Sequence, residues 1–553
     1  MVRRNGALLG VVLSSVMSLT LVANAETKRY VVSFKNPNTF KAVAQQANSA
    51  LLTAPGLASS AKLFNMNAAV TQALSHVQML VVESEDAKAV ESLRHHPAVA
   101  LVEEEIFHPL PQPLATRGIS DESRETMRSS SPIDMPWGIS AVKAPQAWGK
   151  SKGNTARVLI LDTGIDRDHE ALRSRFEQGK DFVGAGDFND NVGHGTHVAG
   201  TIAAAGDNGG LVGVAPQAGI LSGKVCSDRG CSSIAIMNGV DWAIEQKVDV
   251  VNMSLGGSFI SESEAQAYRR AEDAGVFIAA ASGNSGNNRV SYPAAIETVA
   301  AVGAVGPDLK KADFSQWGPE LDVVAPGVDT LSSVPRGSGR GATVGMDLGG
   351  GMNAVPSMPF VGSPLRSGLE NSLVFAGMGK TEDFSRANVR GKFALISRGE
   401  IPFKDKVKNA ISAGATGVII YNNAPGLMQG AISEDGSEVA IPAAMIEQTL
   451  GESAKSALTS GKTVRASISV TATDYASFQG TSMATPHVAG VAALIRATNK
   501  NLTPAQVRDI LRSTATPMTP NNENQYGSGL VNAEAAVERA KTMAGAQLVQ
   551  LIN

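Results

Sequence analysis

A series of short, near-continuous apolar runs does most to limit what this chain can fold into. Arg157–Leu161, Gly219–Val225, Asp249–Met253, Val276–Ala280 and Thr298–Val302 are too short for core helices and lack the polar alternation of a strand with one wet face. Strands of this kind are buried on both faces, as in a parallel sheet covered by helices. Helical patterns at Thr196–Ala204, Ser233–Lys247 and Ser263–Ala274 lie between some of them. The expected fold class is therefore α/β with a parallel sheet. In such sheets functional residues gather beyond the C-terminal ends of the strands, and Asp162, Ser254 and Asn284 all stand at that kind of position.

Composition narrows the class without naming a chemistry. At 553 residues and 43% hydrophobic content the chain can bury a large core, and its length suits three or four domains. A net charge of -3 leaves no basic surface to argue for nucleic acid. Arg3 and Arg4 precede the apolar run Ala7 to Val22, and Ala23-Asn24-Ala25 supplies a small-residue cleavage pattern. Residues 1–25 are thus expected to be a signal peptide, and the chain to be secreted and extracellular. The apolar run of 16 residues is shorter than the roughly 20 a spanning helix needs, and no later segment is long and apolar enough, so no membrane association is expected after signal removal. Cys226 and Cys231 flank a turn-like Ser227-Asp228-Arg229-Gly230 and are a disulfide candidate in an oxidising compartment; two free thiols are the alternative. No further cysteine completes a tetrahedral metal set.

Outside the sheet region the chain divides into segments. Residues 26–108 read as strand Lys28–Phe34, helix Thr39–Ala50, strands Ala61–Asn65 and Val77–Glu83, helix Asp86–His95 and strand Val99–Ile106, a β-α-β-β-α-β plan of ferredoxin-like α+β type. Residues 109–134, rich in Pro, Ser and charge, read as a linker and processing region. The sheet pattern occupies 135–336, is interrupted over 337–472, and resumes over 473–553.

Three motifs carry chemistry. Gly480-Thr481-Ser482-Met483-Ala484-Thr485-Pro486-His487 places a serine at the start of a helix, His194 lies in Gly193-His194-Gly195-Thr196-His197-Val198-Ala199-Gly200, and Asp162 closes Val158-Leu159-Ile160-Leu161. Alone, each is weak: a serine at a helix start is most often a cap, and an aspartate after a strand is usually a turn former. The extended motifs in the order Asp, His, Ser, together with Ala279-Ala280-Ala281-Ser282-Gly283-Asn284, resemble the subtilisin-like serine proteases, or subtilases. That resemblance implies Ser482 as nucleophile, His194 as proton carrier, Asp162 as the group orienting it, and Asn284 as an oxyanion donor beside the Ser482 N–H. It also implies protein or peptide substrates held in β-fashion along Ser254-Leu255-Gly256-Gly257. The first specificity pocket would be walled by Ala281, Ser282, Gly283 and Ser291, and would prefer large apolar residues.

The same resemblance extends to the other segments. Residues 26–108, ending in Glu103-Glu104-Glu105, resemble the inhibitory propeptide, which implies a partner that is the chain's own folding template and inhibitor, and an autoprocessed zymogen. Gly391–Gly399, Phe403–Val407 and Ala413–Tyr421 resemble a β-rich protease-associated (PA) domain, placed at 337–472. No cofactor is implied for catalysis. A structural Ca²⁺ stays open: Ala171 stands where the family has an acidic ligand, while Asp207 survives in Gly206-Asp207-Asn208-Gly209. Two rival readings are a metallopeptidase using His194 and His197, which lacks the His-Glu-x-x-His motif, and a catalytically inactive secreted peptide-binding protein.

Overall fold

The computed structural model of the chain describes residues 27–53, 63–111, 114–118, 135–207, 210–427, 430–433 and 437–552. The predicted signal peptide and most of the predicted linker lie outside these residues. The chain divides into two compact units, residues 1–73 with 80–104, and residues 74–79 with 105–553.

In the first unit the strand order is Ala69–Leu74, Met79–Ser84, Lys28–Phe34, Val99–Glu104. With helices Pro37–Thr53 and Ala87–His95 this is the split β-α-β arrangement of a ferredoxin-like fold. Tyr30, Val32, Phe40, Leu80, Val82, Val90 and Leu93 form its core. The predicted strand Ala61–Asn65 is corrected. Its first two residues lie outside those described, and Leu63–Asn65 is a short 3-10 turn in which Phe64 and Asn65 take φ of 50° and 59°. Such angles cannot continue a strand. The strand forms instead at Ala69–Leu74, where Val70 and Leu74 are buried.

The second unit is built on a seven-stranded parallel sheet in the order Val323–Pro326, Ala300–Val305, Phe277–Ala281, Val250–Met253, Arg157–Asp162, Gly219–Lys224, Phe176–Asp181. Val250 pairs with Phe277 on one side and Val158 on the other, so the middle strands are hydrogen-bonded on both edges and buried on both faces. The five predicted strands are all present; the two edge strands were not predicted. Phe176–Asp181, FEQGKD, carries no apolar run because its side chains are largely half-exposed, and Val323–Pro326 ends at a proline after only three residues.

The helix Thr481–Thr498 is buried over Thr481–Arg496 and packs on the strands Val250–Met253, Phe277–Ala281 and Ala300–Val305. Small residues such as Ala484, Ala489, Ala492 and Ala493 bring its backbone close to the sheet. Pro504–Ser513 starts with a reciprocal cap between Thr503 and Gln506.

Between Arg336 and Asp474 the chain forms a separate eight-stranded sheet whose first and last strands, Gly339–Asp347 and Arg465–Thr473, pair along their whole length. Two apolar clusters cover it, one around Leu395, Tyr421 and Ile468, the other around Phe360, Ile396 and Val407. At its root, the Arg336 backbone N–H and Nε both donate to Asp166 Oδ2 at 2.9 Å, and Gly337 N–H donates to Asp474 Oδ1 at 2.7 Å.

Candidate active site

The strand Arg157–Asp162 delivers Asp162 to the C-terminal edge of the sheet, and the helix His194–Ala203 starts beside it. Both side chains are 1% exposed. His194 Nδ1 lies 2.8 Å from Asp162 Oδ1 and 3.0 Å from Oδ2, and Oδ1 also accepts the Thr163 N–H at 2.7 Å. Gly195 makes this approach possible, since a Cβ there would come within 2.1 Å of the Gly164 carbonyl and 3.2 Å of Asp162 Cβ.

Sequence reasoning missed the residue that locks the two segments together. Asp190 is buried; its Oδ1 accepts from Thr163 Oγ1 and from the N–H groups of Val192 and Gly193, and its Oδ2 from the N–H and hydroxyl of Thr196. The available signal was an acid four residues before His194, just ahead of the helix.

Ser482 lies in the first turn of its helix, which packs against the helix bearing His194. Its Oγ donates to the Ser254 carbonyl at 3.0 Å, and among the described residues it makes no hydrogen bond to His194. Pro486, four residues on, has no N–H to give the Ser482 carbonyl, so that carbonyl accepts the Ser254 hydroxyl at 2.8 Å instead. Ser254, predicted as part of a substrate edge, therefore also anchors the Ser482 backbone.

Asn284 sits where predicted, next to this turn. Its Oδ1 accepts the Thr481 N–H and Thr481 hydroxyl, both at 2.9 Å, which turns Nδ2 away from them. Ser482 N–H has no partner among the described residues, so two donors stand together at a helix N-terminus. If they stabilise an oxyanion, Asn284→Ala is expected to lower kcat about 100- to 1,000-fold with KM little changed, the magnitude known from subtilisin. Initial rates on a peptide ester would read this, and a loss below threefold would contradict it.

A cleft of about 550 Å³ opens beside Ser482, lined on one side by Ser254–Ser258 and on another by Ala281, Gly283, Asn284, Val290 and Ser291. Ser282 is buried behind the wall, its hydroxyl donating to the Gln316 carbonyl. Gly257 does not have its backbone free for substrate, as predicted for it, because it exchanges both hydrogen bonds with Tyr292 at 2.9 Å. Leu255 and Gly256 line the cleft.

The resemblance to an inhibitory propeptide implies that the tail of residues 26–108 lies in the cleft, but the edge it adds to was not read from the sequence. Cys226 and Cys231 are disulfide-bonded across a hairpin, Cys226–Ser227 with Gly230–Ser232. The chain's own Phe107–His108 adds to this hairpin as an antiparallel strand, Phe107 opposite Ser232 and His108 opposite Cys231, and Pro109, Leu110 and Pro111 continue into the cleft. This edge was hidden because strand addition is a property of two segments more than a hundred residues apart.

Three further histidines, His169, His197 and His487, are wholly buried among the described residues. His197 Nε2 faces the carbonyls of Thr330 and Ala476 at 2.9 and 3.1 Å, and its ring stacks on Phe478, so it is turned away from any shared ligand with His194. Burial first, and then the neighbouring His194, push His197 down to about 3, and burial pushes His487 down to about 4. Both are neutral in the folded state and bind a proton near 6.5 once unfolded, so the stability they preserve is complete above pH 6.5 and is lost as pH falls toward 4 and 3. Each costs about 1.4 kcal/mol per pH unit below 6.5. Calorimetry on a Ser482→Ala protein, which avoids self-digestion, is expected to show a steepening fall in Tm between pH 6.5 and 4.5. A flat Tm over that range would refute it.

Ala171 is buried and offers no side-chain oxygen, Asp207 Oδ2 accepts from Ser174 Oγ, and among the described residues no three His, Cys, Asp or Glu side chains are grouped to hold a metal.

Comparison with known proteins identifies relatives of the chain. The profile of the Subtilase family matches residues 153–351, and that of the PA domain matches residues 364–454. Subtilisin E of Bacillus subtilis (strain 168) is 35% identical over 320 residues, 56% of this chain and 74% of its own length. Alkaline elastase YaB of Bacillus sp. (strain YaB) is 29% identical over 522 residues, 94% of each chain. Among solved structures, the psychrophilic subtilisin-like protease Apa1 of Pseudoalteromonas sp. AS-11 aligns with a TM-score of 0.56 at 31% identity, covering 74% of this chain and 99% of its own. Matches of this extent show the family: the chain belongs to the subtilase family and is a subtilisin-like serine endopeptidase with an inserted PA domain.

Proposed function

We propose that Ser482, His194, Asp162 and Asn284 carry out peptide-bond hydrolysis through an acyl-enzyme, in a protein secreted as a zymogen. The observation that carries this reading is the buried Asp162–His194 pair, whose helix packs against the helix that opens at Thr481-Ser482, with the Ser482 backbone N–H free among the described residues. Rotation of the Ser482 side chain from the Ser254 carbonyl toward His194 Nε2 aligns it for attack. His194 then takes the hydroxyl proton and returns it to the leaving amine, while Asp162 holds Nδ1–H and balances the imidazolium charge. The tetrahedral oxyanion is met by Ser482 N–H and Asn284 Nδ2. These steps use no metal or cofactor, so activity is expected to survive a chelator and to be abolished by phenylmethylsulfonyl fluoride; the reverse pattern would sink the proposal.

Three supporting observations bear on the finer points. The segment Glu105–Pro111 runs along the cleft edge, with Ser233 N–H donating to the Ile106 carbonyl at 2.9 Å, as an inhibitory leader would. The disulfide suits export, and among the described residues no helix is long and apolar enough to cross a membrane. Around Ala281, Gly283, Val290 and Ser291 the cleft presents no acidic side chain, which supports cleavage after large apolar residues. A peptide library read by mass spectrometry is expected to show that preference, and equal or faster cleavage after Arg would overturn it.

A further inference from the structure

Glu264 is a buried acid that the hydrolysis described above does not use. Its side chain is 0% exposed although it stands in the first turn of the helix Glu262–Asp273. Carboxylates at that depth are held by partners. Oε2 meets the N–H and hydroxyl of the cap residue Ser261 at 3.4 and 3.3 Å, and Oε1 accepts from the Tyr268 hydroxyl at 3.4 Å. The remaining partner is His108, whose Nε2 lies 2.9 Å from Oε1 and whose side chain is 4% exposed.

His108 differs from the other partners because it belongs to the segment lying along the cleft. Its backbone pairs with Cys231, its ring faces the exposed Phe259 at 6.5 Å, and its Nδ1 lies where a Cβ on Gly257 would come within 2.8 Å. Gly257, Phe259, Cys231 and Glu264 therefore form a pocket filled by one side chain of a strand-like occupant. When that segment leaves, the carboxylate loses its closest partner while the pocket remains.

We propose that Glu264 is a specificity-determining residue, the floor of a subsite that selects histidine, or another side chain carrying an N–H donor, at the position His108 holds in the chain's own segment. The proposal rests on the reading of this cleft as the substrate cleft. An apolar side chain placed there leaves Oε1 without its closest partner, and an acidic one sets two carboxylates together.

The test uses peptides spanning Glu103–Pro111 as inhibitors of the secreted enzyme acting on an unrelated fluorogenic substrate, with position 108 as His, Lys, Leu or Asp. The His peptide is expected to inhibit about 10- to 100-fold more tightly than the Leu peptide, with Asp weakest and Lys between His and Leu. In Glu264→Leu the ratio of His to Leu inhibition constants is expected to fall to one or invert. Glu264→Gln, which keeps an acceptor for the helix cap, is expected to lose discrimination against Asp. Ratios are read within each variant, so a change in overall rate does not enter them. Equal inhibition by His and Leu peptides of an active wild-type enzyme would overturn the subsite alone. Absence of any hydrolysis by the wild type would remove the protease reading beneath it.

Discussion

Replacing Ser482 by alanine is expected to lower kcat by about 10⁶-fold and to leave residues 109–134 uncut. That magnitude is the one known for loss of the triad serine in subtilisin, a relative of this chain. The size of the effect follows from the proposed division of labour, in which the hydroxyl bonds to the scissile carbon and neither His194 nor Asn284 can substitute for it. The structure makes the variant a clean probe of chemistry. Among the described residues Ser482 Oγ donates only to the Ser254 carbonyl, while the bond from Ser254 Oγ to the Ser482 carbonyl, which compensates for Pro486, survives the change. Mass spectrometry of the wild-type and variant proteins, side by side, reads both turnover and self-processing. Wild-type rates in the variant, or identical masses with a processed leader, would show that Ser482 is not the nucleophile.

Asp162→Asn is expected to lower kcat by about 10⁴-fold at neutral pH while the protein stays folded. In the wild type both carboxylate oxygens face Nδ1 of His194, at 2.8 and 3.0 Å, which fixes the proton on that nitrogen and leaves Nε2 as the base. Asparagine can present an N–H in place of an oxygen, which favours the tautomer whose Nε2 already carries a proton and cannot accept another from Ser482. Oδ1 also holds the Thr163 N–H, and an amide oxygen can keep that bond, so stability should fall far less than activity. Steady-state rates with circular dichroism as the folding control would check this. A loss smaller than tenfold would mean that His194 is oriented by other groups, of which Thr163 and the Asp190 cluster are nearest in the structure.

Local pattern in the amino-acid sequence was enough to determine the parallel sheet, the helices flanking it and the motifs bearing Asp162, His194, Ser482 and Asn284. Buried strands must be apolar on both faces, and a helix-start serine after glycine leaves a short signature that needs no distant partner. Two edge strands escaped notice because half-wet edges carry mixed residues, and the strand expected at Ala61–Asn65 failed because left-handed backbone at Phe64 and Asn65 cannot be read from apolar spacing. Tertiary structure alone decided the rest: the five-bond clasp of Asp190, the exchange between Ser254 and Ser482 that offsets Pro486, the engagement of Gly257 by Tyr292, and the meeting of His108 with Glu264. These contacts join residues from two to more than two hundred positions apart, brought within about 3 Å. Periodicity describes how one element faces its core, whereas hydrogen bonds between elements depend on where the whole fold sets them down.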